Sequence, residues 1–133
     1  MKISEVMTTD VETVSAEQTA REAASFMLRA DAGSIPVCEG GRVIGIITDR
    51  DIAVRGVAEG RGPDTPVSQL MSDGIICARE DEDVNTVAQG MSDEQVPRLP
   101  VLDADDKLCG IVSLGDLTRE TAGEAAHEAL EGV

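Results

Sequence analysis

The sequence has 133 residues, a length typical of one domain or of two small modules that share a core. Apolar residues make up 41%, and Phe26 is the only aromatic residue, so we expect a core of aliphatic side chains. The 26 acidic residues exceed the 11 basic ones and give a formal net charge of −15, which argues against DNA and anionic membranes as partners. A small phosphorylated ligand is still permitted, because a few local donors can overcome the global charge. No apolar run is long enough to span a bilayer and no signal peptide is recognisable, so we expect a cytoplasmic protein.

The chain aligns with itself at an offset of 64 residues, which places Met7 on Met71. One residue is inserted in the second half, and the offset becomes 65 from there on. Each copy alone would be marginally stable, so we expect the two copies to pack together. The repeat and its Gly- and Pro-rich joint predict one domain over residues 1–60, a linker over 61–66 and a second domain over 67–122. The tail, 123–133, is predicted either to form a short helix or to fray.

In the first copy, Ser15 followed by Gln18 is a capping-box pattern and predicts that a helix begins there. Its apolar face at helical spacing is predicted to comprise Ala20, Ala23, Ala24, Met27 and Leu28. Apolar runs at 35–38 and 43–48 flank a Gly-containing turn and predict an antiparallel hairpin. A second helix is predicted from about residue 49 to residue 60.

The second copy repeats this order. It predicts a helix over 84–93, strands over 99–102 and 108–113, and a helix from about residue 115. The predicted fold class is therefore mixed α/β (α+β), built from two similar units.

In both copies a strand ends in a hydroxyl residue, and an aspartate follows three residues later: Thr48 with Asp51, and Ser113 with Asp116. The first N–H groups of a helix lack partners within the helix and can hold an anion. A carboxylate there can accept two hydrogen bonds from a vicinal diol. The pattern therefore fits a nucleotide site, although the same residues are also ordinary helix caps that imply no ligand.

The two strand-to-helix motifs, Gly45–Ile52 and Gly110–Leu117, resemble the closing motif of CBS (cystathionine-β-synthase-type) domains. Ile35-Pro36-Val37 and Leu99-Pro100-Val101 match the mid-domain motif of that family, and the resemblance covers residues 1 to about 121. The layout is similar to stand-alone bacterial and archaeal CBS pairs, including the hypoxic-response type. The resemblance implies a Bateman module, in which two β-α-β-β-α units pack sheet to sheet about a pseudo-twofold axis and dimerise.

The resemblance also implies a non-catalytic sensor that binds AMP, ADP, ATP or S-adenosylmethionine in two clefts. Asp51 and Asp116 would hold ribose hydroxyls, and Thr48 and Ser113 would contact ribose or phosphate. The residues implied to surround the adenine, partly through backbone groups, are Val11, Thr13, Ser34, Ile35, Pro36, Ile75, Cys77, Leu99 and Pro100. The alternative is an interaction or stress-associated protein of the same fold with no physiological nucleotide.

The two copies differ in their cations. Arg50 lies inside the first motif where the second has Gly115, and Arg98 stands where the first copy has Ser34. We hypothesise unequal sites in which Arg50 and Arg98 contact phosphate; the alternative is that both are surface residues paired to nearby carboxylates. Asp49 and Asp51 would repel phosphate without an intervening cation, so a Mg²⁺ nucleotide complex is compatible with the motif, although no dedicated metal site is recognisable.

Cys38, Cys77 and Cys109 are odd in number and widely spaced, and we expect three reduced thiols. A zinc site that uses them with His127, or a redox disulfide, is the alternative. No nucleophile paired with a base and no P-loop is recognisable, so no enzymatic activity is expected.

Overall fold

A computed structural model describes residues 1–120. The predicted tail and His127 lie outside the described residues. The chain folds into two compact units that do not follow the sequence order of the repeats. The central unit is Glu12–Ile75, and the terminal unit combines Met1–Val11 with the residues from Ile76 onward.

The central unit contains a helix, a hairpin and a second helical segment. Its elements are α1 (Ala20–Ala30), β1 (Ser34–Glu39), β2 (Arg42–Thr48) and α2 (Asp49–Asp51), which continues as a π-helical turn (Ile52–Gly56) and a 3-10 turn (Val57–Glu59). Strands β1 and β2 are antiparallel and pair Ser34 with Thr48. Gly60 then ends the helical segment with a φ of 77°, a conformation that favours glycine.

The terminal unit repeats this arrangement with one more strand. Its elements are a 3-10 turn (Ile3–Glu5), β3 (Ala78–Arg79), α3 (Val84–Glu94), β4 (Arg98–Leu102), β5 (Leu108–Ser113) and α4 (residues 114–120). The sheet has the order β3-β4-β5, with β3 parallel and β5 antiparallel to β4. In the central unit a single parallel bridge from Val14 to Val37 stands in the place of β3. The predicted mixed α/β class is thus confirmed.

The opening segments of the two repeats are exchanged between the units. Thr8, at the start of the first repeat, exchanges backbone hydrogen bonds with Ile111 of β5, both 2.9 Å long. Ser72, at the start of the second repeat, makes the same pair of bonds with Ile46 of β2. The predicted domain boundaries at residues 60 and 67 mark the duplication in the sequence, and they stay a prediction. The compact units of the structure group the residues differently.

The start of α1 differs from the prediction. Ser15 N does donate to Gln18 Oε1, at 2.8 Å, but this pair forms a turn before the helix. The helix begins after Thr19, whose Oγ1 accepts from Glu22 N at 3.2 Å. Linker carbonyls explain the later start, because the first N–H groups of α1 donate to the carbonyl oxygens of Thr65 and Pro63.

The predicted apolar face of α1 is only partly correct. Ala20, Ala23 and Met27 are buried in the core of the central unit. Ala24 is exposed and Leu28 is 83% exposed, so both were wrongly assigned to the core. Each of them comes one residue after a buried position of the helix, so its side chain lies beside the buried face and borders an open groove.

Each unit has its own aliphatic core, as the composition predicts. The buried core residues of the central unit are Val14, Ala20, Ala23, Met27, Ile35, Val37, Ile47, Val67 and Leu70. Those of the terminal unit are Ile3, Ala78, Val84, Val87, Met91, Leu99, Val101, Val112 and Leu117. These cores fix the hairpins and hence the strand-to-helix junctions where the hydroxyl and acid residues lie.

Candidate functional site

In the central unit, Thr48 and Asp51 form a reciprocal cap at the junction of β2 and α2. Thr48 Oγ1 accepts a hydrogen bond from Asp51 N, and Asp51 Oδ2 accepts one from Thr48 N, both at 3.0 Å. The Arg55 side chain lies 3.9 Å from the other carboxylate oxygen of Asp51. The Asp51 side chain is only 14% exposed, so its carboxylate is largely engaged by the fold itself.

In the terminal unit the corresponding acid is more accessible. Asp116 N donates to Ser113 Oγ at 3.1 Å, which again caps the helix. The Asp116 carboxylate pairs with the Arg119 guanidinium one helical turn further on, and its side chain is 45% exposed. Arg119 is itself 78% exposed, so water competes with this ion pair and a ligand can replace it at small cost.

The strand opposite each hydroxyl brings a different group to each unit. Arg98 pairs with Ser113 in the β4–β5 register, whereas Ser34 pairs with Thr48 in the β1–β2 register. The start of each of these strands is also tied to the following helix: Leu114 N donates to Pro97 O at 2.8 Å, and Asp49 N makes the equivalent bond in the central unit. In the terminal unit Asp116 is therefore capped by Ser113, and Arg98 is the residue opposite Ser113 in the strand register.

The strand residues predicted to surround the adenine have buried side chains. Ile35 and Leu99 are 3% and 6% exposed, and Pro36 and Pro100 are buried as well. The Ile35 and Leu99 side chains belong to the two cores, so what these strand positions can offer a ligand is mainly backbone. Arg50 is exposed, and its backbone N–H donates to Asp49 Oδ1 at 2.8 Å.

The unit boundary separates the other residues predicted to line the site. Val11 belongs to the terminal unit and Thr13 to the central unit. Ile75 belongs to the central unit and Cys77 to the terminal unit. Cys77 directly precedes β3 and is half-buried. Burial raises the pKa of its thiol, and the nearby Arg79 lowers it by a smaller amount. Because burial has the larger effect, the Cys77 side chain is a neutral thiol near neutral pH.

The structure adds two site residues that sequence reasoning missed, Arg55 and Arg119. Both lie one helical turn after the aspartate that they contact, at i+4 and i+3. This spacing is readable in the sequence as a helical ion-pair pattern, and it was the signal that could have identified them.

The described residues contain neither a cluster of metal-ligating side chains nor a disulfide. Residues 1–120 contain no group of three or more His, Cys, Asp or Glu arranged to hold a metal ion. Over the same range no disulfide joins the three cysteines. The zinc alternative also requires His127, which lies outside this range.

Comparison with known proteins decides the family. The sequence model of the CBS domain matches residues 3–56 and 67–123. The chain belongs to the CBS domain family. Within the described range, no helix of this CBS pair is long and apolar enough to cross a membrane.

This CBS pair is similar over nearly its full length to several stand-alone members of the family. It is 42% identical to the CBS domain-containing protein YhcV of Bacillus subtilis, over 98% of this chain and 94% of that protein. The crystal structure of hypoxic response protein I with two coordinated zinc ions matches with a TM-score of 0.81 and 30% identity, over 90% of this chain and 98% of the other. The resemblance to CBS pairs of the hypoxic-response type is therefore confirmed.

A third relative was crystallised with ligands. The CBS domain pair of protein MJ0100, in complex with 5′-methylthioadenosine and S-adenosyl-L-methionine, matches with a TM-score of 0.80 and 27% identity. The alignment covers 93% of this chain and 98% of that structure. The likeness extends through both repeats and so includes the two strand-to-helix motifs.

Proposed function

We propose that this CBS pair is a non-catalytic regulatory protein that binds an adenosyl ligand: AMP, ADP, ATP or S-adenosylmethionine. The observation that carries the proposal is the junction of β5 and α4, where Ser113 caps the helix at Asp116 and Arg98 is the residue opposite Ser113 in the strand register. The adenosyl ligands of the MJ0100 structure support the choice of ligand class.

Each group at this junction has a distinct role. The Asp116 carboxylate accepts hydrogen bonds from the two ribose hydroxyls, for which its 45% exposed side chain is available. The Ser113 hydroxyl, whose oxygen already accepts from Asp116 N, donates to ribose or phosphate. Arg98 neutralises phosphate, and Arg50 has this role in the central unit. A Mg²⁺ ion that accompanies the nucleotide would reduce the repulsion between phosphate and the acidic motif.

A regulatory role requires that the ligand favours one conformation or assembly over another. We propose a cytoplasmic homodimer as that assembly. An apolar groove of about 370 Å³ in the central unit supports a subunit contact, since Leu28 and Val57 beside it are 83% and 72% exposed. The same groove favours the second candidate function, an interaction protein that binds a partner without any nucleotide.

Isothermal titration calorimetry with AMP, ADP, ATP and S-adenosylmethionine tests the proposal. We expect at least one of them to bind, and Asp116→Ala to weaken its affinity roughly 10- to 100-fold, because hydrogen bonds to a charged group are lost. Asp105→Ala is the matched control, since this acid is exposed in the β4–β5 turn of the same unit. Silence of all four compounds at millimolar concentration contradicts the ligand class. Unchanged affinity in Asp116→Ala refutes the ribose role alone.

A further inference from the structure

Each repeat opens with a methionine that lies against a glycine of a hairpin strand. Met7 packs beside Gly110 of β5 in the terminal unit, and Met71 packs beside Gly45 of β2 in the central unit. A Cβ atom built on these glycines would lie 2.5 Å from Met7 Sδ and 2.8 Å from Met71 Sδ. Each thioether therefore occupies the space that a side chain on the strand would otherwise need.

The side chains of these two methionines are only partly covered. Met7 and Met71 are half-buried, and each packs against the aliphatic core of its own unit. Met27 and Met91, which are also related by the 64-residue offset, are buried at 7% and 1% exposure. The chain thus contains two equivalent pairs of methionines, of which one pair is sheltered and the other is in partial contact with solvent.

The backbone hydrogen bonds that fix the opening segments come directly after these methionines. Thr8 and Ile111 exchange two hydrogen bonds of 2.9 Å, and Ser72 and Ile46 do the same in the central unit. The methionine side chain fills the gap beside the same strand to which the next residue is bonded. The thioether contact and the backbone pairing therefore support each other.

We propose that Met7 and Met71 form a pair of oxidation sites, at which hydrogen peroxide converts the thioether to a sulfoxide and loosens the opening segments from β5 and β2. In this reaction the O–O bond of the peroxide breaks, and one oxygen atom forms the new S–O bond. The other oxygen leaves as water with both hydrogen atoms. The sulfur loses two electrons, and the peroxide gains them.

The sulfoxide does not fit the place of the thioether. Its oxygen is a hydrogen-bond acceptor, and burial of a polar group without a partner costs free energy. The close approach of sulfur to Gly110 and Gly45 leaves no room for an added heavy atom between the side chain and the strand. The oxidised side chain is therefore more stable when it turns toward water, and this movement weakens the backbone pairing that follows it.

Two of the three cysteines compete poorly for the same oxidant. A thiol reacts with peroxide as its thiolate. Burial raises the pKa of the Cys77 thiol, and burial together with the Glu80 carboxylate raises the pKa of Cys109 to about 11. A thioether needs no deprotonation, so the half-buried methionines are reactive at neutral pH, where these two thiols are almost entirely protonated.

Treatment of the folded protein with hydrogen peroxide, followed by mass-spectrometric peptide mapping, tests the inference. We expect Met7 and Met71 to oxidise roughly fivefold faster than Met27 and Met91, or faster still. We expect the midpoint of urea unfolding to fall by about 0.5–1 M, in step with the sulfoxide content of Met7 and Met71. It should not follow that of Met1, which is 47% exposed. Dithiothreitol, added before the denaturation, reverses disulfides and sulfenic acids formed on the cysteines.

Leucine at both positions gives the matched comparison, because it keeps an apolar side chain of similar volume without a sulfur atom. We expect the midpoint of Met7→Leu/Met71→Leu to change by less than about 0.2 M on peroxide treatment. The control Met27→Leu/Met91→Leu should lose as much as wild type. Circular dichroism monitors folding of both variants, and the time course in wild type decides the question should the first variant fold poorly.

Three outcomes overturn the inference. The first is an equal rate of oxidation in both methionine pairs, and the second is an unchanged midpoint once Met7 and Met71 carry sulfoxides. The third is a loss of wild-type size in folded Met7→Leu/Met71→Leu. The proposed ligand is tested separately, because none of these measurements needs a nucleotide.

Discussion

At the scale of single residues, the clearest chemical perturbation is at Cys109. Its Sγ lies 3.7 Å from Glu80 Oε2, and burial, followed by this carboxylate, raises the pKa of the thiol to about 11. The thiolate fraction at pH 8 is then about a hundredfold lower than for an unperturbed thiol of pKa 9. The greater nucleophilicity of a more basic thiolate offsets part of this loss.

We therefore expect Cys109 to react with iodoacetamide at pH 8 roughly tenfold more slowly in the folded protein than in urea-unfolded protein. Mass-spectrometric mapping of the alkylated cysteine measures the rate. Glu80→Gln removes the neighbouring charge and should accelerate the reaction, because the pKa of the thiol falls. Rapid labelling of Cys109 in the native state would contradict this account of its surroundings.

Residue identity predicted the capping groups but not their accessibility. Ser or Thr before a helix and Asp three residues later are caps in both units, which local sequence alone explains. The contrast between Asp51 and Asp116 depends on partners in three dimensions, among them the reciprocal bond from Thr48 N. Sequence could therefore propose a pair of sites, whereas their difference in availability required the fold.

At the scale of elements, a glycine in the second strand of each hairpin allows the opening segment of a repeat to pack closely against that strand. A Cβ on Gly110 of β5 would lie 2.5 Å from Met7 Sδ and 3.0 Å from the backbone oxygen of Thr8. We expect Gly110→Ala to lower the free energy of unfolding by about 1–3 kcal/mol, since the opening segment must shift. Urea denaturation measures this change. Gly74→Ala is the control, because a Cβ there meets open space, and an equal loss in both variants would show that the close approach is unimportant.

The four hairpin strands were predictable to within one residue because short apolar runs on both sides of a turn fix a hairpin locally, whereas the two-residue strand β3 was not predicted from the pattern. The start of α1 was not predictable from the local sequence. The carbonyl oxygens that accept hydrogen bonds from its first N–H groups belong to Pro63 and Thr65, in the linker more than 40 residues later. The π-helical turn after α2 was not predicted either; there Gly56 is buried with the Leu70 side chain near it.

At the scale of the whole molecule, the exchange of opening segments predicts which fragments fold. The fragment 12–75 contains the entire central unit, including Val67 and Leu70 from its core. The fragment 1–60 follows the sequence repeat but lacks these core residues. We expect 12–75 to unfold cooperatively on heating and 1–60 to show little ordered structure, as measured by circular dichroism. A higher melting temperature for 1–60 would contradict the exchange.

The duplication, the fold class and the position of both strand-to-helix motifs were predictable because they follow from patterns that repeat along the chain. The exchange was not, because it consists of long-range pairings such as Thr8 with Ile111, and a sequence repeat only records the order of residues. The composition did predict the aliphatic nature of both cores.

The exchange also sets an order of events on the ribosome. As the nascent chain emerges, the hairpin of β1 and β2 is complete long before Ser72 arrives to pair with Ile46. The central unit can close once Ile75 has left the exit tunnel. Thr8 precedes the central unit in the chain, but it has no strand partner until Ile111 of β5 has been translated. A segment that comes before the central unit in the chain thus completes its pairing only after that unit can close.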